Sequence, residues 1–177
     1  MKVLPLRLLF TLVFTVITLC ACAMVPTAKD GETLKPNQGL LAFHVTSNAD
    51  AGLSYVDYSS TSTFGSRFGE NMVGPKGMFR IKAGETFYVV PLDAGDYMFS
   101  KFDMYPKYAW LQATNRFKVS ANTITYIGHI RINIKDNRFG IQAMDRELDM
   151  RTYLADTFPA YFKSMDFKKS FAELSLR

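Results

Sequence analysis

The chain has 177 residues and carries a formal net charge of +5. This charge is too small to indicate a nucleic-acid partner, and the basic residues are scattered apart from Lys168 and Lys169. Aromatic side chains make up 14% of the sequence, which is enough to build a core by packing alone. We therefore expect a protein that does not bind nucleic acid.

The beginning of the chain has the layout of a secretory signal peptide. A basic start leads into an apolar run from Leu8 to Leu19, and then into small residues and a cysteine. The ending Leu19-Cys20-Ala21-Cys22 resembles the lipobox of bacterial lipoproteins, with an aliphatic residue three positions before the cysteine and a small residue one position before it. This resemblance implies that residues 1–21 are removed as a lipoprotein signal peptide, and that Cys22 is acylated on its sulfur and on its new amine.

Other interpretations of this segment remain open. A plain transmembrane anchor needs about 20 apolar residues, and the run from Leu8 to Val25 barely reaches that length. An ordinary signal peptide could instead be cut at the small-x-small site of residues 21–23. Cys20 is an alternative acceptor, although it would place Leu19 at the cut, where a small residue is needed. If Cys20 is removed and Cys22 acylated, no thiol is left to form a disulfide.

The residues after the lipobox predict how the domain is attached. Ala23, and not Asp, follows the cysteine, which in the lipoprotein family implies export to the outer membrane, with the domain facing the periplasm. The acyl chains of Cys22 then hold the protein in the membrane. Residues 22–38 predict a lipidated cysteine and a flexible tether, because positions 23–38 contain prolines, polar residues and no periodicity. Such a tether reaches about 20–24 Å.

The segment 39–145 alternates apolar and polar side chains with a period of two, and turn signals recur about every ten residues. In its first strand, Leu41, Phe43 and Val45 point one way and His44 points the other. No helical pattern separates the strands. We therefore predict a mainly β fold, an antiparallel β-sandwich of the immunoglobulin or transthyretin kind.

Two later strands carry specific signals. The clearest strand is Ile124–Lys135, which places most of its isoleucines on a packed face and His129 on a wet face. Ile127 is an exception to this alternation, and Gly128 indicates a bulge or a close neighbour. Pro91 has no backbone N–H, so its strand ends there or lies at a sheet edge.

The hydrophobic period changes to that of a helix after residue 145. Met150 and Leu154 belong to one helical face, and acidic residues suit the first turn. Pro159 ends this helix or begins a second one. A weaker helical face continues through residues 160–174. Residues 146–177 therefore predict a short C-terminal helical segment that packs on the sandwich.

This layout resembles a loose group of uncharacterised small β-sandwich lipoproteins of Gram-negative bacteria. The shared features are a glycine-turn meander such as VVPLDAGDY, a late strand of the type TYIGHIRI and a C-terminal helix near a Phe-Pro. The resemblance covers most of residues 75–160. It implies a fold and a location in the cell envelope, and it implies no activity.

The sequence lacks the residue patterns that are typical of catalysis. It contains no G-x-S-x-G, no H-E-x-x-H, no phosphate-binding glycine loop and no usable cysteine. His44 and His129 have no Cys or carboxylate partner at metal-ligand spacing, so surface histidines are expected and not a zinc site. We expect a protein that is not an enzyme and has no cofactor and no metal, and a dispersed enzymatic site remains a third alternative.

Two segments are candidates for binding. Tyr105, Tyr108 and Trp110 lie around a proline, and Tyr and Trp are favoured at interfaces and in sugar-binding sites. The alternative is that Tyr108 and Trp110 point inward and build the core. The second segment, Thr63–Gly77, is rich in glycine and long enough for a binding loop, or it is an ordinary connection.

These observations lead to two main hypotheses. The first is a lipid-anchored, non-catalytic outer-membrane lipoprotein that contacts another envelope component from the periplasm, such as a membrane protein complex. The second is a glycan- or peptide-binding module that uses the aromatic residues near Tyr105–Trp110. An exposed flat patch would favour the first, and exposed coplanar rings beside polar groups would favour the second.

Overall fold

The structure is a computed structural model that describes residues 25–58, 76–111, 116–136, 138–172 and 174. These residues form ten strands and two helices, and the mainly β fold is confirmed. In chain order the elements are β1 (Gln38–Ser47), β2 (Ala51–Asp57), β3 (Gly77–Ile81), β4 (Gly84–Asp93), β5 (Gly95–Met104), β6 (Lys107–Trp110), β7 (Arg116–Val119), β8 (Thr123–Lys135), β9 (Arg138–Met144), α1 (Glu147–Thr157), α2 (Pro159–Ser164) and β10 (Asp166–Lys169).

The strands form two five-stranded sheets that pack face to face, so the predicted β-sandwich is confirmed. Sheet I has the order β10-β8-β1-β4, and β9 also pairs with β8. Sheet II has the order β3-β2-β5-β6, and β7 also pairs with β5. In each sheet, two short strands pair with different parts of the same edge of one long strand. These are β10 and β9 on β8, and β7 and β6 on β5.

Sheet II is antiparallel throughout, whereas sheet I is mixed. β8 runs parallel to β1, with Leu40 opposite Ile124, and it also runs parallel to β10. After β7 the chain crosses from sheet II to sheet I and enters at the end where β1 begins. There the backbone N–H of Asn122 donates to the carbonyl oxygen of Gln38 at 2.9 Å. The prediction of antiparallel pairing is wrong for these two pairs of strands. Alternation identifies a strand but not which strand lies beside it or in which direction that neighbour runs.

The main core lies between the two sheets and is rich in aromatic rings. Leu41, Phe43 and Val45 point into it from β1, as predicted. The ring of Phe43 is fully buried, and its centroid lies 4.9 Å from that of Phe79 and 4.8 Å from that of Tyr88. Burying one such side chain contributes about 1.5–3 kcal/mol, so this cluster is a large part of the stability.

A second core covers the other face of sheet I, beneath α1 and α2. The sheet contributes Leu40 and Ala42 of β1, and the helices contribute Met150, Leu154 and Tyr161. The middle of β1 and the first half of β8 are therefore buried on both faces. The wet face predicted for β8 is wrong over that half, because the helices cover it.

Gly128 lies at a bulge in β8, as predicted. The register between β1 and β8 shifts at this point, and Gly128 has a φ of +114°. The irregularity changes the phase of the alternation. Tyr126 packs in the second core, whereas Ile127 and Ile130 both pack between the sheets. The exception at Ile127 is therefore a consequence of the bulge.

The C-terminal segment begins with two helices, as predicted. Acidic residues occupy the first turn of α1, and Pro159 is the first residue of α2. The helical prediction for residues 160–174 is wrong beyond Ser164, because β10 follows and pairs with β8. The ring of Phe167 in β10 stacks on that of Tyr126, with centroids 6.0 Å apart. Contact with the sheet thus prevails over a weak helical pattern.

Residues 28–38, which we name the N-terminal strap, are held on the domain. The backbone N–H of Ala28 donates to the carbonyl oxygen of Val89 at 2.8 Å. The carboxylate of Asp30 accepts hydrogen bonds from the backbone N–H groups at the start of α2, at 3.1 and 3.2 Å. The flexible tether predicted for residues 23–38 is therefore wrong for the strap, because these bonds fix it.

The strand β4 forms one edge of sheet I, and it contains Pro91. Proline cannot donate a hydrogen bond to a further strand, so the edge position agrees with the prediction. The bond from Ala28 to Val89 brings the strap against this same edge.

Candidate functional site

The predicted binding residues lie on a hairpin of sheet II. β5 and β6 pair antiparallel with Met104 opposite Lys107, so that Tyr105 and Pro106 form the turn. The Tyr105–Pro106 peptide bond is cis, and proline is the third residue of this four-residue turn. We name residues 104–110 the aromatic hairpin.

Two of the three predicted aromatic side chains point into solvent. The exposed fraction is 99% for Tyr105 and 59% for Tyr108, and Trp110 is partly buried. The inward-pointing alternative is therefore wrong for Tyr108. The rings of Tyr108 and Trp110 meet edge-on, with centroids 5.9 Å apart and planes at 84°. These two rings do not form a flat stacking platform.

Charged side chains lie beside the aromatic hairpin. Lys101 forms an ion pair with Asp103 at 3.1 Å, and its Nζ lies 5.7 Å from the ring centre of Tyr108. Tyr105 also lines an open depression of about 330 Å³ together with Arg80 and Asp103. Exposed aromatic rings with charges of both signs around them are typical of a protein interaction surface.

A second ion pair borders the same depression. Nζ of Lys82 lies 2.7 Å from Oδ2 of Asp50, and Oδ1 of the same carboxylate accepts a hydrogen bond from the backbone N–H of Ala83 at 3.0 Å. The bond from Lys82 and then that from Ala83 lower the pKa of Asp50. This carboxylate is ionised and already bonded at neutral pH, which does not suit a general acid.

The two histidines are not on the surface, and the prediction that they would be is wrong. His44 on β1 and His129 on β8 are 0% and 4% exposed, and their rings stack with centroids 3.8 Å apart. They lie on the face of sheet I that the helices cover. The ring of Phe87 lies 4.8 Å from that of His44 and stacks on Tyr153 of α1. Alternation predicted their face correctly but gave no signal for the helix above it.

The histidine stack has few hydrogen-bond partners. Nε2 of His129 lies 2.8 Å from Oγ1 of Thr46. Nδ1 of His129 and both ring nitrogens of His44 are buried without a hydrogen-bond partner in the described part of the chain. Burial, and then the neighbouring His129, lowers the pKa of His44 to about 4. Burial also lowers the pKa of His129, so both rings are neutral near pH 7.

The histidine stack does not make a metal centre. Within the described residues, no three side chains of the types His, Cys, Asp or Glu lie close enough together to hold a metal ion. A zinc site needs three or four protein ligands. A further open depression, of about 400 Å³, lies between the strap and α2, and its lining contains neither histidine nor cysteine.

Two predicted features lie outside the described residues. These are Cys22, the lipidation site, and residues 63–75 of the glycine-rich segment. Both therefore stay predictions. Neither of the helices that the structure describes is long and apolar enough to cross a membrane.

Comparison with known proteins does not place the chain in a family. The chain matches no protein-family model, no curated protein and no solved structure. A function must therefore be argued from the residues and their geometry.

Proposed function

We propose that this protein is a lipid-anchored, non-catalytic component of the cell envelope, held in the outer membrane by acyl chains on Cys22 and facing the periplasm. It contacts another envelope protein through the aromatic hairpin. The observation that carries this contact surface is the exposure of Tyr105 at 99% and of Tyr108 at 59%. The lipobox-like sequence before Cys22 supports the anchor.

The chemistry of the aromatic hairpin favours a protein partner. Covering exposed aromatic surface contributes about 25 cal/mol for each Å² of apolar area removed from water. Tyrosine and tryptophan are also among the residues that most often dominate the binding energy of an interface. Lys101 and Asp103 beside the rings supply charges that select a partner of complementary charge.

A glycan- or peptide-binding module is the second candidate, and one observation favours it. Tyr105 borders a depression that also contains Arg80 and Asp103. An aromatic ring beside groups that donate and accept hydrogen bonds suits a sugar ring or an extended peptide. The angle of 84° between Tyr108 and Trp110 speaks against a platform of two coplanar rings.

The anchor can be tested with one substitution. We expect Cys22→Ser to abolish metabolic palmitate labelling and to release the folded domain into the soluble fraction, because serine lacks the thiol that is lipidated. Cys20→Ser is the matched control and should keep both the label and the membrane association. Persistent labelling of the Cys22 variant would contradict the assignment.

The contact surface can be tested by in-cell crosslinking of the tagged protein and mass spectrometry of what it captures. We expect one dominant envelope protein, whose capture falls about tenfold or more in Tyr105→Ser and in Tyr108→Ser. Leu148→Ser is the control, because Leu148 is 76% exposed and lies on α1, which covers the other sheet.

Each outcome of the crosslinking experiment separates the candidates. Unchanged capture of the same protein by both tyrosine variants would contradict the aromatic hairpin as the contact surface. A lack of any captured protein, together with tyrosine-dependent binding of glycans or peptides in solution, would favour the second candidate.

A further inference from the structure

The stack of His44 on His129 lies where β1, β8 and the start of α1 meet, and the proposed function does not use it. Three of the four ring nitrogens have no hydrogen-bond partner among the described residues. A proton on Nδ1 of either ring would have no hydrogen-bond partner there, and Nε2 of His44 has only the carboxylate of Glu85 nearby, at 3.5 Å. Packing therefore holds both rings in their neutral form.

Four charged side chains act on the stack from three elements. A carboxylate oxygen of Glu85 on β4 lies 3.5 Å from Nε2 of His44, and 54% of the Glu85 side chain is exposed. Arg131 of β8, with Arg146 and Asp149 at the start of α1, acts through Coulombic interactions. Two acidic and two basic groups oppose one another, so the surroundings do not compensate for a buried proton.

We propose that this stack is an acid-sensitive latch, in which the neutral rings hold the start of α1 on sheet I and protonation releases α1 while the sandwich stays folded. The connection to α1 runs through Phe87. Its ring centroid lies 4.8 Å from that of His44 and 4.2 Å from that of Tyr153 on α1. Displacing the His44 ring therefore removes support from the aromatic contact that holds the helix.

The helix α1 is held by this contact together with the hydrogen bond from the backbone N–H of Arg146 to the hydroxyl of Tyr126 and the ion pair of Glu147 with Lys169. Its N-cap residue, Arg146, makes no side-chain cap hydrogen bond, and Met150 and Leu154 are its two buried side chains. Among the described residues, the buried polar side chains include no carboxylate, and both buried histidines lie on the face of sheet I that the helices cover. Acidification to about pH 5 therefore acts on the helix layer and not on the sandwich itself.

The direction of the pH effect follows from proton linkage. In the closed state the pKa of His44 is lowered to about 4, whereas a histidine in water has a pKa of about 6.5. The open state binds more protons between these two values, so the latch is closed above about pH 6.5 and loosens as the pH falls. For His44 alone, the opening equilibrium constant should rise about twentyfold between about pH 7 and about pH 5.

The ion pairs that connect α1 to β10 do not account for such an effect. Hydrogen bonds from Lys169 and Arg151 lower the pKa of Glu147. Glu147 therefore stays ionised throughout this range, and its bonds to Lys169 at 2.9 Å and to Arg151 at 2.7 Å persist.

Amide hydrogen exchange of the purified protein, corrected for the intrinsic exchange rate, tests the proposal. We expect the opening constant of α1 amides to rise about twentyfold from about pH 7 to about pH 5, while β2 and β5 stay protected. His44→Phe keeps a ring against Phe87 and cannot be protonated, so its α1 should lose the part of this dependence that His44 contributes, while the smaller part from His129 remains. Glu147→Gln, which changes a carboxylate of the helix, should retain it.

Three outcomes would overturn the latch: an equal rise in α1 and in the strands, no rise at all, or a rise in His44→Phe as large as in the unchanged protein. A titration of the two histidine ring resonances by NMR gives an answer without any variant, because the sequence has only these two histidines. Both pKa values should lie below 6.5. Two values at 6.5 would mean that neither ring resists protonation, and the proposal would fail.

Discussion

Replacing Phe43 by alanine is expected to lower the free energy of unfolding by about 3–5 kcal/mol. The side chain is fully buried at the centre of the sandwich. Its ring meets those of Phe79 and Tyr88 at 4.9 and 4.8 Å, and that of Phe99 at 6.2 Å. Removing it takes away apolar burial and leaves a cavity that three other rings cannot fill by small movements. Urea unfolding, with the slope compared between variants, measures the loss.

Two matched variants calibrate the effect of Phe43→Ala. Phe43→Leu keeps most of the volume and should cost clearly less. Leu148→Ala removes a side chain that is 76% exposed, and it should change the stability by less than about 0.5 kcal/mol. A loss of less than about 1 kcal/mol for Phe43→Ala would contradict a core centred on this ring.

Replacing Gly39 by alanine is the second substitution with a large expected effect, of about 3 kcal/mol or more. A Cβ atom at Gly39 would lie 2.0 Å from the carbonyl oxygen of Ser120 and 2.9 Å from that of Thr123. Both are backbone atoms, one in the crossing between β7 and β8 and one in the first residue of β8, and they cannot move aside as a flexible side chain would. The substitution should therefore disturb the crossing that brings β8 parallel to β1.

Gly140→Ala is the matched control for Gly39→Ala. Gly140 also lies in a strand of sheet I, and a Cβ atom there would meet nothing within 4 Å. Its thermal midpoint should stay close to that of the unchanged protein, whereas the midpoint of Gly39→Ala should fall by many degrees. Equal midpoints for the two variants would show that the close approach at Gly39 does not constrain the fold.

The strands and the sandwich could be predicted because local alternation reports which side chains are buried. Leu41, Phe43 and Val45 face the core as their period of two requires. The parallel neighbours of β8 could not be predicted, because pairing joins residues far apart in the chain. Leu40 and Ile124, for example, carry no mutual signal in the sequence.

The faces of β8 show how far alternation can be extended. Gly128 indicated the bulge, but the change of phase that it causes places Tyr126 and Ile130 on opposite faces. Burial of His129 depends in addition on α1, which lies above it. Alternating polar and apolar residues are typical of a strand with one face in solvent. A helix from later in the chain can cover that face, and the alternation does not indicate this.

The strap and β10, which lie before and after the predicted strands, were predicted least well, for a similar reason. The composition of the strap suggested a tether, and nothing local indicates that Asp30 accepts hydrogen bonds from the start of α2. Phe167 fits a helical face, yet it lies in β10 because it stacks on Tyr126. Long-range contacts decided both segments.

The candidate site was only partly accessible to sequence reasoning. The aromatic residues were identified by type alone. Whether Tyr108 points inward or outward depends on the twist and partners of a four-residue strand, which alternation does not determine. The histidine stack gave no local signal, since His44 and His129 are 85 positions apart.

The placement of the strap also bears on solubility. A long unpaired strand edge is a template for pairing with a second molecule, and natural proteins shorten or cover such edges. The edge strands β6, β7 and β10 have four residues each, whereas β4 has ten. Pro91 and the contact of Ala28 with Val89 interrupt that ten-residue edge. The strap thus also guards the domain against edge-to-edge aggregation.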